Sequence, residues 1–148
     1  MSLAHLFSLA VSWALFGLIW LVQLVHYPSF RYIGDFQAFH GHHTSSISLI
    51  VGPLMLAELA ISVYLAWSSS FQWQWLLPLL MVLLIWANTF FQAVPLHEKL
   101  AQQAVVGADS TAMQEQIEAL IRVNWPRTIL WTLKALWLSW LACQLLKK

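Results

Sequence analysis

The sequence predicts an all-α integral membrane protein: a four-helix bundle of up-down-up-down topology, with an extra amphipathic interfacial helix between transmembrane helices 3 and 4. Composition is the first observation behind this. Of 148 residues, 60% are hydrophobic and 9% are charged, at a mean hydropathy of +0.69, whereas a soluble domain carries about 25% charged residues. The second is that four segments, residues 4–27, 44–67, 73–96 and 125–146, reach the roughly 20 mostly apolar residues that a membrane-crossing helix needs. The third is that the links between them are modest. Backbone polar groups cannot stay open in hydrocarbon, so such spans pack as a helical bundle. One domain, residues 1–148, uses the whole chain.

The first span, 4–27, has no Lys or Arg ahead of it, exceeds the roughly 7 to 15 apolar residues of a signal peptide and lacks a small-x-small cleavage site, so it is expected to be retained. It stops where Pro28 discourages further helix, and Gln23, His26 and Tyr27 stand at i, i+3 and i+4 on one face. In the second span, Asp35 can cap an early start, so the helix is expected over about 40–67. Phe36, His40, His43 and Ile47 then share a stripe, while His42 points away. Pro53 is a candidate kink. The third span, 73–96, carries Asn88 and Gln92 four apart and is followed by His97.

A link of roughly 28 residues, 97–124, comes next. Within it "TAMQEQIEALIRV" sets Met113, Ile117, Leu120 and Ile121 on one stripe and Glu115, Glu118 and Arg122 elsewhere. This predicts an amphipathic helix over about 111–123, lying on the interface or covering a site. The fourth span, 125–146, opens with "NWPRT". Trp73, Trp75 and Trp125 sit near span ends, where indoles anchor in the interface.

Several function classes are excluded. Cys143 is the only cysteine, which removes an internal disulfide, a cysteine zinc site and a CxxC motif. A net charge of +1 without a basic run removes nucleic acid as a partner. The partners expected are the lipid bilayer, a small hydrophobic substrate, and a second copy or another membrane subunit.

Under the predicted topology both termini share one side, with Lys147 and Lys148. Arg31, Lys99, Arg122 and Arg127 lie on the other, which the positive-inside rule turns towards the cytoplasm of a bacterial inner membrane. Chain order also brings five of six histidines to that second side, and four apolar helices do not need them. Neutral imidazole suits transition metals, so His26, His40, His43 and His97 are the candidate ligands of iron or copper, with zinc as a further candidate. Gln23 and Gln92 are expected to support the cofactor, and Tyr27, Asn124 and Arg127 to act on the substrate. Haem b in an electron-transfer subunit is the alternative cofactor, and a non-enzymatic metal-handling or partner-binding subunit is a third class. Deeper in the membrane, Glu58 stands fifteen residues after His43, roughly 22 Å along a helix, and Lys134 is its natural ion-pair partner.

"VPLHEKL" (94–100) and "LIRVNWPRTILW" (120–131) together resemble the anthrone oxygenase-like family of small four-helix membrane proteins, through Pro95, His97, Leu100, Asn124, Arg127 and Thr128. His97 stands where that pattern usually has asparagine, and the "HGHH" run does not map onto it. The resemblance implies an oxygen-using oxidation of a small, lipid-soluble, aromatic or quinone-like substrate; with the four candidate histidine ligands, the function expected is a membrane-embedded metal-dependent oxidoreductase.

Overall fold

The computed structural model describes residues 1–107 and 110–147. Asp109 and Lys148, two of the charged residues near the chain's link and terminus, lie outside the described residues. Four long helices account for the fold: α1 (Leu3–Tyr32), α2 (Phe36–Ser68), α3 (Trp73–Val106) and α4 (Ser110–Leu146). No strand occurs among the described residues. Each helix is long and apolar enough to cross a membrane, and most of each span is left outside the protein core, where lipid can cover it.

All five prolines fall inside these helices, which requires an account, because a proline removes one helical hydrogen bond and crowds the preceding turn. In α1 and α3 the account is local. Residues Val22–His26 and Thr89–Ala93 form single π turns just before Pro28 and Pro95, with Tyr27 N–H reaching Val22 O and Val94 N–H reaching Thr89 O. The wider turn absorbs the ring, and the helix continues beyond it. Contrary to the expected stop at Pro28, α1 therefore runs to Tyr32. Asp35 does cap α2, its Oδ1 accepting from Ala38 N–H at 3.1 Å, but the helix begins at Phe36 rather than near residue 40.

The largest correction concerns the link. Residues 97–106 extend α3 and residues 110–124 extend α4, so 111–123 is the first part of a single helix that passes through Pro126. No strong breaker stands between Pro95 and Gly107, whose φ of 66° ends α3 in the left-handed region that favours glycine. The apolar stripe points inward as its spacing requires: Ile117 and Leu120 are buried beside Leu100 and Phe30, with Met113 and Ile121 packed against them. Outside the stripe, Glu118 pairs with Arg31. Trp75 also departs from expectation. It is buried and packs against His5 in a tilted pair with ring centroids 4.8 Å apart, whereas Trp73 stays exposed.

Polar bonds fasten α1 to α4. Trp13 donates to Ser139, Trp20 donates to Thr132, each at 3.0 Å, and Asn124 donates to Gln23 at 2.8 Å, so partners run backwards along α4 as α1 advances. Between these rungs Glu58 and Lys134 form an ion pair of 2.9 Å, both side chains fully buried. Lys134 also donates to Ser12 at 2.6 Å, and Trp131 donates to Glu58 at 2.9 Å.

Candidate functional site

A cavity of about 820 Å³ opens between α1, α2 and α3 and reaches α4. That volume lies within the range of small-molecule pockets, roughly 300 to 1,000 Å³. Its walls are apolar, with Leu15, Ile19, Val51, Met55 and Trp86 among them, and one end is polar, formed by Tyr27, His40, His43, His97 and Arg127. This division follows from sequence spacing. In α2 the His40, His43, Ile47 stripe continues into Val51 and Met55 on the same face, so imidazoles give way to aliphatic groups as the helix descends.

The imidazoles meet in two pairs. His40 Nε2 stands 3.1 Å from His97 Nδ1, and His97 Nε2 stands 3.1 Å from the Tyr27 hydroxyl. Beside them the His26 and His43 rings pack with centroids 3.7 Å apart, and His26 Nε2 is buried without a hydrogen-bond partner. Phe30 packs against three of the four, its ring 5.2 Å from His26, 6.0 Å from His40 and 5.8 Å from His43. Among the described residues no three His, Cys, Asp or Glu side chains are arranged to hold one metal ion. Joining all four histidines on one ion would therefore take side-chain rotation.

His42 is exposed and turned away from His40 and His43. Other expected site residues are placed elsewhere. Gln23 and Asn124 do not line the cavity. Gln23 donates to the Ile121 carbonyl at 3.2 Å and accepts from Asn124 and, at 3.2 Å, from Thr128, so it bonds no histidine. The π turn causes this by changing the phase between Gln23 and Tyr27, sending the first to α4 and the second to His97. Gln92 lies in the other π turn, exposed, accepting from Asn88 at 3.4 Å.

Arg127 is the group whose setting stands out. It lines the cavity, is only 7% exposed, and lies over the Trp131 ring at 5.4 Å and beside the Tyr27 hydroxyl. Its Nε is buried with no hydrogen-bond partner. Among the described residues the ion pairs are Arg31 with Glu118 and Lys134 with Glu58, so Arg127 has no carboxylate within reach. Sequence reasoning missed Phe30 and Trp131. The spacing of Trp131, one turn after Arg127, was the available signal for a ring beneath the guanidinium.

Fold and pocket together define the class: an integral membrane helical protein with an apolar cavity between its helices, closed at one end by imidazole and guanidinium groups. No protein-family model, curated protein or solved structure matches the chain.

Proposed function

We propose that the protein is a membrane-embedded metal-dependent oxidoreductase that oxidises a small lipid-soluble, aromatic or quinone-like substrate in this cavity. One observation carries the reading: His40 Nε2 and His97 Nδ1, on two different helices, converge to a hydrogen bond of 3.1 Å at the polar end of an apolar pocket, a spacing that an ion replacing the shared proton would keep. Two nitrogens each about 2.1 Å from a shared ion stand about 3.1 Å apart when they subtend about 95°. Tyr27 behind His97 fixes that ring, as metal-bound imidazoles require. His26 and His43 supply further nitrogens after rotation. Iron or copper held there would supply the activation of oxygen that the anthrone oxygenase-like resemblance implies.

The protein's own groups have separate tasks in this reading. The apolar walls take the substrate from the lipid and exclude water. Arg127 stabilises negative charge that develops on a substrate oxygen. Asn124 and Gln23 brace α1 against α4, which holds Tyr27 in place. We further propose the up-down-up-down arrangement in a bacterial inner membrane, with the histidine end cytoplasmic and the α3–α4 hairpin at the interface.

The test is metal content and the absorption spectrum of protein purified in detergent. Bound iron or copper is expected, and it is expected to be lost in His40→Ala and His97→Ala but kept in His42→Ala. A Soret band would instead indicate haem. A metal-free, colourless protein whose behaviour ignores these substitutions would leave a non-enzymatic subunit.

A further inference from the structure

Arg127 is the uncompensated charge of this cavity. The other buried cation, Lys134, is neutralised by Glu58 and further bonded to Ser12, whereas Arg127 has an aromatic ring beneath it, a hydroxyl beside it and, among the described residues, no anion. A guanidinium does not shed its proton to escape burial. A buried charge without a partner is strongly destabilising, and in a membrane helix it marks a functional site whose partner is to be named. Because the desolvation of Arg127 is already incurred in the folded protein, an incoming anion gains the attraction without that part of the opposing term. Glu98 also borders the cavity, but it is exposed.

We propose that the ligand of this cavity is an amphiphilic monoanion, an apolar molecule with one carboxylate-type head, whose head pairs with Arg127 and whose body lies along α2. A planar, two-oxygen head suits the guanidinium fork. One cation calls for one negative charge, since neither lysine nor a second arginine lines the cavity. The body has room: from His40 to Leu56 the lining runs sixteen residues of α2, about 24 Å at 1.5 Å per residue. This inference rests on the proposed function only in taking the cavity as the substrate site, and it assigns Arg127 to a charge the substrate already carries rather than to one that develops during the reaction.

Binding tests it without turnover or metal. Full-length protein in phosphatidylcholine nanodiscs is titrated with radiolabelled oleate, with empty nanodiscs subtracted, and competed with oleyl alcohol and with acetate. Wild type is expected to prefer oleate over oleyl alcohol by at least tenfold, and acetate is expected not to compete. Arg127→Gln should abolish the preference and Arg127→Lys should retain part of it. Gly52 lines the cavity with nothing within 4 Å of an added Cβ, so Gly52→Phe should weaken both ligands by intruding on the body's path. Equal affinity for oleate and oleyl alcohol in wild type, an unchanged preference in Arg127→Gln, competition by acetate, or full binding in Gly52→Phe would each overturn the proposal. Selective oleate binding by a metal-free protein would keep this inference while removing the oxidoreductase.

Discussion

The buried ion pair offers the sharpest test of how this fold is held together. Glu58 and Lys134 are both fully buried and 2.9 Å apart, and each has a second partner, Trp131 N–H on Glu58 at 2.9 Å and the Ser12 hydroxyl on Lys134 at 2.6 Å. Removing one member of such a pair leaves an uncompensated charge and costs about 3 to 5 kcal/mol, whereas replacing both with groups of similar volume is often near neutral. Glu58→Gln keeps an oxygen acceptor for Trp131, and Lys134→Met keeps the volume of the lysine stem. Each single variant is therefore expected to lose about 3 kcal/mol or more. The double variant should lose about 1 kcal/mol, chiefly through the changed contacts to Trp131 and Ser12. The coupling, singles summed minus double, is then about 5 kcal/mol. Equilibrium unfolding in mixed micelles, followed by tryptophan fluorescence and helical circular dichroism, measures all four corners. Additive losses, with the double as unstable as the two singles combined, would refute the idea that the pair acts as one neutral unit.

Four other changes probe the surrounding framework by the same assay. Gln23→Leu removes the acceptor that Asn124 and Thr128 share; Thr128 keeps the Asn124 carbonyl at 3.2 Å, so the expected cost is about 1 to 3 kcal/mol, that of one unsatisfied buried polar group. Leu120→Ala empties a fully buried position between the α3–α4 hairpin and α1 and should cost about 2 to 5 kcal/mol; a loss below 1 kcal/mol would mean that the hairpin does not pack there. Gly107→Ala forces a side chain into the left-handed region at φ 66° and should destabilise by about 1 kcal/mol, whereas Gly17→Ala, inside α1 with nothing within 4 Å of the added Cβ, should be neutral or stabilising by up to about 1 kcal/mol.

Parts of the site were legible in sequence because they depend only on helix period. Asp35 fixes the start of α2, and from that start the 3.6-residue repeat turns His40 and His43 to the cavity and His42 outward. The stripe of Ile117 and Leu120 faces the core for the same reason. Period reasoning failed where the period itself changes. The π turns at Val22–His26 and Thr89–Ala93 insert a residue into the repeat, and this separates Gln23 from Tyr27 and exposes Gln92. A proline misled in the same way. Pro28 read as a helix boundary, yet it lies within a longer helix, because neighbouring helices and the wider turn satisfy the backbone that proline disturbs.

By itself, then, the sequence determined that the chain forms four membrane-crossing helices and that its histidines gather towards one end. Both follow from apolar length and chain order, which act locally or need no contact between helices. Only the tertiary structure decided which histidines touch, that Phe30 packs against three of them, and that Arg127 is buried with no acidic partner among the described residues. Those outcomes depend on the relative rotation and depth of packed helices, and a single inserted residue in a π turn changes them by roughly 100° without altering hydropathy.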